Sequence, residues 1–327
     1  MSGSNVPYQL RPNKFVERQL FYELLEAIHR ARPMTDYGYF SMGGKFLVDH
    51  SALHARFDMK NLYSIEGCSV TYKRQLFNRP FKFIRCWNEL SSTFVGRFEE
   101  FVSELGDKSL IAWLDYTKPK DRRNQLEELQ TLVSKMRPYD VFKITMNAST
   151  QTLEGGKEES RLDRIRKQLG EDAYLPNGVG RPDVAKSDKF AVVLAKAIKT
   201  AVLESAENAG LIAIPLAVFR YSDGQQMLTV TGILMEEDKK EWFLDATKLN
   251  EWPFLPDNWA TVKLISVPDL SQKERRFLDE RLFSDPTDEL HATLSFKFDK
   301  DFDKSFQILN EYLTHYRRYP NFIHATT

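Results

Sequence analysis

Residues 109–121, SLIAWLDYTKPKD, contain an apolar run that breaks at Asp115, continues with Tyr116 and then reaches Pro119. An unpaired carboxylate inside a buried strand would be costly, whereas a strand end beside a cleft removes that cost. Pro119 keeps the chain from rejoining the sheet. The stretch therefore predicts a buried strand with a carboxylate at its tip. The alternative is that Asp115 caps the helix that starts near Asp121.

The sequence around this strand alternates strand and helix. Each predicted strand is followed by a helix, for example residues 69–77 and the segment SSTFVGRFEEFVSEL at 91–105. A helix also follows Gly44, and four apolar residues are predicted to lie on one side of it: Phe46, Leu47, Leu53 and Phe57. The predicted strands are the aromatic stretch before Gly43, Leu62–Ile65, residues 81–88, residues 109–115 and residues 141–149. Strands that alternate with helices indicate a parallel sheet covered on both faces.

Two further strands follow a helix that begins near Lys189, and they are joined at Ser222 to Gln225. The Asp-Gly pair in this joint favours a tight hairpin, because such a turn needs positive φ. The expected organisation is a helical segment (1–34), an α/β domain (35–236) and an α+β extension (237–327). A polar insert at 151–188 is expected to form a lid and not a core element.

Composition limits the possible functions. Lys plus Arg equals Asp plus Glu at 46 each, so there is no global basic field to attract nucleic acid or an anionic membrane. Two cysteines are too few for a disulfide framework and indicate a reducing compartment. No apolar run approaches the roughly 20 residues that span a bilayer. We therefore expect a soluble, cytoplasmic protein without a membrane partner.

The candidate binding residues follow the ends of the predicted strands. In an open parallel sheet, ligands bind outside the carboxyl ends of the strands. These candidates are Ser41, Met42, Gly43, Gly44, Glu66, Trp87, Asn88, Asp115, Tyr116, Lys118 and Asn147.

Several of these residues have both a binding and a structural interpretation. Gly43 and Gly44 would let backbone approach a ligand, or they form only a turn. Glu66 could accept hydrogen bonds from both ribose hydroxyls, or it interacts with a helix N-terminus. Asn88 could bind a base edge and Trp87 could cover one face of the base, although Trp87 fits the core equally well.

Other polar residues give weaker signals. Arg11, Asn13 and Lys14 could contact a cofactor carboxylate or a substrate, but solvated surface is the simpler interpretation. His50 and His54 have the i, i+4 spacing of half a metal site, and no neighbouring acid or cysteine completes it, so no metal is predicted.

The glycine turn, the acid after the second strand, the amide after the third, the acid–aromatic pair after the fourth and the closing hairpin resemble class I S-adenosylmethionine-dependent methyltransferases. This Rossmann-like resemblance covers residues of roughly 35 to 235. The segments YQLRPNKFVERQLF, YFSMGGKFLVD, SIEGCSVTYKRQLFNRP, WLDYTKP and ISVPDLSQKERRFLD further resemble a bacterial family of O-methyltransferases over nearly the whole chain.

The resemblance implies roles only where residues match. Gly43 and Gly44, with Ser41 and Met42 before them, would hold the methionine part of S-adenosylmethionine. Glu66 would bind the ribose, Asn88 beside Trp87 would face the adenine, and Asp115 with Tyr116 would lie beside the sulfonium. Asp115 is the best candidate base, with Tyr116 and Lys118 as weaker ones.

The chain also departs from the class I pattern. Most such enzymes carry an acid before a three-glycine turn, whereas Ser41 and Met42 precede two glycines here. The stretch DYTKP also lacks the Asp-Pro-Pro-Tyr of enzymes that methylate amino groups of bases, which disfavours that substrate.

The predicted activity is methyl transfer, most simply to an oxygen of an unidentified acceptor. One alternative is a non-catalytic module of a bacterial multi-protein system, with the C-terminal extension as a possible protein-binding surface. Another is a nucleic-acid methyltransferase that uses the local clusters KPKDRR, RLDRIRK and HYRRYP.

Overall fold

The computed structural model describes residues 10–154, 160–282, 287–294 and 296–320. Its described strands form one eight-stranded sheet in the order β3-β2-β1-β4-β5-β7-β6-β8. The strands are β1 (Tyr37–Ser41), β2 (Leu62–Ile65), β3 (Arg85–Trp87), β4 (Ser109–Asp115), β5 (Val141–Asn147), β6 (Ile212–Ser222), β7 (Gln226–Met235) and β8 (Lys263–Ile265). The helices are α1 (Pro12–Ala31), α2 (Val48–Phe57), α3 (Ser69–Asn78), α4 (Ser91–Gly96), α5 (Phe98–Val102), α6 (Arg122–Val133), α7 (Arg161–Leu169), α8 (Ser187–Asn208), α9 (Lys240–Thr247), α10 (Gln272–Asp279), α11 (Thr287–Thr293) and α12 (Phe302–His315).

The first five strands are parallel, and the sheet ends in an antiparallel hairpin. β7 pairs antiparallel with both β5 and β6, and Gly224 has φ +106° in the turn between the hairpin strands. This arrangement confirms the α/β, Rossmann-like class I methyltransferase fold with its closing hairpin. β8 adds a parallel strand outside β6, so a piece of the segment after residue 236 belongs to the main sheet.

The side chains of β4 are buried on both faces of the sheet. Leu110, Ala112 and Leu114 are buried in one apolar layer, and Ile111 and Trp113 are buried in the other. Successive side chains of a strand point to opposite faces, so a continuous apolar run fits a sheet that is covered on both sides. The run ends at Asp115, the last residue of β4, as predicted.

Three local predictions are wrong. The strand expected over 81–88 is reduced to β3, Arg85–Trp87. The helix expected over 91–105 is interrupted at Arg97, which separates two short helices. Phe46 lies before α2 and is 40% exposed, because α2 begins only at Val48 after Leu47 takes a left-handed conformation.

The insert at 151–188 is not only a lid, which corrects the prediction for its described residues. Leu153, Ile165 and Leu169 are fully buried in the apolar layer that α6 and α8 also form. The amphipathic spacing of α7 explains the burial of Ile165 and Leu169, because its apolar positions fall on one face. The proposed division of the chain into three parts remains a prediction.

None of the described helices combines the length and the apolar character needed to cross a membrane.

Candidate functional site

A cavity of about 510 Å³ lies outside the carboxyl ends of the parallel strands. Most of the predicted binding residues line this cavity, because the loops after β1, β2 and β4 all begin at the carboxyl ends of the strands. The predicted residues that line it are Met42, Gly43, Gly44, Glu66, Asp115, Tyr116 and Lys118.

Four predicted residues do not line the cavity. Asn147 is buried, and its amide donates to Gln225 Oε1 at 2.6 Å. Ser41 is buried at the end of β1, and its hydroxyl has no hydrogen-bond partner among the described residues. The Trp87 ring stacks on Tyr63 at a centroid distance of 5.0 Å and packs with the core, as its structural interpretation requires. The Asn88 amide donates to the Glu66 carbonyl at 2.8 Å, so it supports the neighbouring loop.

The two glycines of the first turn have different surroundings. A Cβ on Gly43 would lie 2.7 Å from both His50 Cε1 and Ser64 Oγ, so the backbone is packed tightly there. The Gly43 N–H donates to Ser64 Oγ at 3.3 Å. Gly44 has φ +54°, and a Cβ there would have nothing within 4 Å. Gly43 therefore fixes the turn, while Gly44 leaves the cavity open.

Glu66 stands at the cavity with one carboxylate oxygen available. Its Oε1 accepts a hydrogen bond from the Cys68 N–H at 2.8 Å, and the described bonds do not use Oε2. Burial raises the pKa of Glu66, and the bond from Cys68 partly opposes that shift. A carboxylate with a free oxygen beside a half-buried cavity can accept a hydrogen bond from a ligand hydroxyl.

Asp115 forms an ion pair with Lys14 of α1 at the bottom of the cavity. Lys14 Nζ lies 3.4 Å from Asp115 Oδ2, and the two side chains are only 12% and 13% exposed. Asp115 Oδ1 is buried and has no hydrogen-bond partner in the described structure. Burial would raise the pKa of Asp115, but the charges of Lys14 and Arg18 hold it below its usual value. Asp115 is thus an anion with an unused oxygen.

Tyr116 and Lys118 are less suited to proton abstraction than predicted from the sequence. The Tyr116 hydroxyl donates to Glu128 Oε2, and burial together with that carboxylate raises the tyrosine pKa. Tyr116 therefore stays neutral and acts as a donor. Lys118 is exposed at the cavity mouth, and its carbonyl accepts a hydrogen bond from Gln125.

The hairpin turn holds the N-terminus of α1 over the cavity. Arg11, at the N-cap position, makes no side-chain cap, and Asp223 supplies one from the turn. Its carboxylate accepts from the backbone N–H groups of Asn13 at 3.2 Å and Lys14 at 2.8 Å. Asn13 Oδ1 also accepts from the Val267 N–H at 2.7 Å. A carboxylate at a helix N-terminus satisfies backbone donors that otherwise lack partners.

Sequence reasoning gave too little weight to Arg11 and Lys14, and it did not select Glu89, Leu90 or Ser91. All five line the cavity. Arg11 and Lys14 were recognised as polar candidates, but the contacts that bring α1 to the strand ends are long-range. Residues 89–91 directly follow Asn88. The predicted end of β3 therefore identified the correct loop but not the residues of that loop that line the cavity.

The two histidines with half-site spacing are used in the fold. His50 Nε2 lies 3.0 Å from the Tyr63 carbonyl, and His54 Nδ1 lies 3.0 Å from the Met59 carbonyl. Within the described ranges, no three His, Cys, Asp or Glu residues are grouped as metal ligands.

The family described as "Putative O-methyltransferase" has a sequence model that matches residues 6–327. A comparison with curated proteins finds no match.

Comparison with solved structures gives distant likenesses. The N-methyltransferase NodS from Bradyrhizobium japonicum is 11% identical, with a TM-score of 0.36 over 68% of this chain and 97% of that one. A mutant 16S rRNA adenine methyltransferase from Catenulisporales acidiphilia, solved with SAM, is 11% identical, with a TM-score of 0.34 over 66% and 91%. An O-methyltransferase family protein from Burkholderia thailandensis is 13% identical, with a TM-score of 0.33 over 68% and 58%. These scores are too low to support shared chemistry.

Proposed function

We propose that the cavity at the strand ends is the methyl-transfer site of this chain, on the premise that the chain belongs to the family described as "Putative O-methyltransferase". The family gives the reaction class, S-adenosylmethionine-dependent methyl transfer. The observation that carries the assignment of the site is the meeting of Gly44, Glu66 and Asp115 at one cavity.

The residues present fit the cofactor in three respects. Open space beside Gly44 gives room for a ligand against the backbone. The unused oxygen of Glu66 suits a ribose hydroxyl. Asp115, held as an anion with a buried orphan oxygen, suits a cation. Lys14 pairs with the other oxygen of this carboxylate, Oδ2.

S-adenosylmethionine would supply an activated methyl group on a sulfonium. The chain's own residues would then bind and orient the two reactants and exclude water. Positioning of this kind supplies most of the acceleration in an in-line displacement. Glu66 and the glycine turn would hold the cofactor, and Asp115 would stabilise positive charge in the half-buried cavity. Tyr116, fixed by Glu128, would form a rigid wall with a neutral hydroxyl.

An oxygen acceptor is the finer part of this proposal, and the family description supports it. The basic clusters give little support to a nucleic-acid acceptor, because several of their arginines bind within the chain. Arg122 is buried against the Asn147 carbonyl, and Arg318 pairs with Glu23 at 2.6 Å. A non-catalytic role would require the cavity to bind the cofactor without transfer.

A bacterial cytoplasmic setting also belongs to the proposal. The free thiols of Cys68 and Cys86 support the reducing compartment in that proposal. A protein partner for the extension after residue 236 is supported by Trp242 and Phe302, which are 51% and 55% exposed.

The test is calorimetric titration of the folded protein with S-adenosylmethionine and S-adenosylhomocysteine. Glu66→Gln should weaken both affinities at least about tenfold, since it loses a charge-assisted hydrogen bond. Glu237→Gln is the matched control, because Glu237 is exposed beyond the end of β7 at the opposite edge of the sheet. Absence of binding by the folded wild type at millimolar ligand would refute the proposed function.

A further inference from the structure

The ion pair between Lys14 and Asp115 places a lysine inside the proposed methyl-transfer cavity. We propose that Lys14 is the general base that takes the proton of the acceptor hydroxyl, and that Asp115 balances first the charge of the cofactor and then that of the protonated lysine. This inference rests on the proposed function. It replaces Asp115, Tyr116 and Lys118 as candidate bases and gives Asp115 a different role.

The first argument is position. Lys14 and Asp115 both line the cavity, and each side chain is nearly buried. α1 holds Lys14 there through its backbone bond to Asp223 and through a buried pair one turn further on, between Glu17 and Lys143 of β5. Lys14 is therefore a fixed part of the cavity wall.

The second argument is charge. Asp115 can neutralise one positive charge at a time, and a sulfonium beside it would bring a second cation close to the Lys14 ammonium. Two cations in a poorly solvated cavity repel strongly, and loss of the lysine proton relieves the repulsion.

Taken together, the surroundings of Lys14 lower its pKa and make its neutral form easier to reach. Burial lowers the pKa of Lys14, as do Arg18 on its own helix and Arg11 at the N-cap of that helix. Asp115 on β4 and Asp49 on α2 act in the opposite direction. Asp49 is itself paired with Arg18 at 3.0 Å, so Asp115 is the main group that keeps Lys14 charged. A cation that engages Asp115 would remove that support.

The proposed step conserves atoms and charge. The acceptor oxygen forms its bond to the methyl carbon as the sulfur–carbon bond breaks, and sulfur keeps the electron pair of that bond. The acceptor proton passes to the lone pair of Lys14 Nζ. One positive charge lies beside Asp115 before the step and one after it. Because the cavity never holds an unbalanced charge, Asp115 stabilises both states.

The test measures protons and needs no acceptor. Calorimetric titrations in two buffers of different ionisation enthalpy give the number of protons released when a ligand binds, between about pH 7 and pH 9. S-adenosylmethionine should release more protons than S-adenosylhomocysteine. The two ligands share the same amino and carboxyl groups and differ at sulfur by a methyl group and one charge. That charge also acts on the ligand's own amino group, and this part of the difference persists when Lys14 is replaced.

The variants are Lys14→Met, Lys14→Arg and the control Lys240→Met, which changes an exposed lysine at the start of α9 outside the cavity lining. Both Lys14 variants should remove the part of the difference in proton release that Lys14 contributes, because neither side chain can lose a proton in this range. Lys14→Arg should also lower the preference for S-adenosylmethionine over S-adenosylhomocysteine about tenfold, since arginine keeps its charge. Lys240→Met should behave as wild type.

Equal proton release by the two ligands in the wild type would overturn the inference, as would an undiminished difference in Lys14→Arg. Either result would leave the proposed function standing, provided that both ligands bind. Failure of both ligands to bind would instead remove the proposed function itself.

Discussion

The backbone N–H of Lys14 donates to Oδ2 of Asp223 at 2.8 Å across 209 residues of sequence. One residue of the hairpin turn thus caps the helix that carries Lys14 into the cavity. Asp223 therefore belongs both to the hairpin turn and to the contacts that place Lys14 in the cavity.

Asp223→Asn should lower the free energy of unfolding by about 1 kcal/mol, the usual contribution of a helix cap. Asparagine keeps the hairpin turn, because Asn-Gly is also favoured there. It loses one of the two acceptor oxygens that bind Asn13 and Lys14. Affinity for S-adenosylmethionine should fall severalfold, and urea denaturation with calorimetry would measure both effects.

The control for this prediction is Asp301→Asn. Asp301 caps α12 by accepting from the N–H groups of Asp303 and Lys304, away from the cavity. It should reduce stability and leave affinity unchanged. Equal losses of affinity in the two variants would show that Asp223 has no specific role in placing Lys14.

Lys143→Met should lower the free energy of unfolding by about 3–5 kcal/mol, because it leaves Glu17 charged and buried without its partner. Lys143 is 1% exposed and lies 4.0 Å from the ring centroids of both Phe21 and Trp113. The double variant Glu17→Gln with Lys143→Met should recover most of the loss. Chemical denaturation of wild type, Glu17→Gln, Lys143→Met and the double variant gives the coupling, and an additive result would contradict the pairing.

Gly43→Ala should test the tight packing of the first turn, and Gly44→Ala should test the space for a ligand beside it. Gly43→Ala should destabilise the fold by about 1–3 kcal/mol through overpacking against His50 and Ser64. Gly44→Ala should lose about 1 kcal/mol to left-handed strain, and its added methyl should weaken binding of S-adenosylhomocysteine. Thermal unfolding and titration would check this, and unchanged stability of Gly43→Ala would argue against the tight contact at Gly43.

Asp140 should make the protein more stable as pH falls from about 6 towards 4. Burial raises its pKa to about 6, although the N–H groups of Arg137 and Leu110 donate to it. The folded state then binds a proton in this range that the unfolded state does not, so the contribution of Asp140 rises as pH falls and is lost above about 6.

The measurement compares wild type with Asp140→Asn in urea at pH 7.5 and at about pH 4. The difference between their unfolding free energies should change by about 2–3 kcal/mol in favour of wild type at the lower pH. A difference that is independent of pH would mean that Asp140 titrates normally.

The sequence by itself determined the order of elements and the edge of the sheet where the site lies. The bounds of β2 and β4 agree with the prediction, and the Asp-Gly hairpin is present. These features are local, because an apolar run, a turn dipeptide or a strand-ending carboxylate acts through its immediate neighbours. The carboxyl ends of parallel strands then meet by topology alone.

Only the tertiary structure decided which side chains face the cavity. Trp87 and Asn88 end the predicted strand but pack or bond elsewhere, because the pleat and the neighbouring rings set their directions. Lys14 reaches Asp115 across 101 residues, held by a cap from Asp223. Such contacts depend on how distant elements pack, and no local pattern encodes them. The proposed base was therefore visible in the sequence only as one more polar residue.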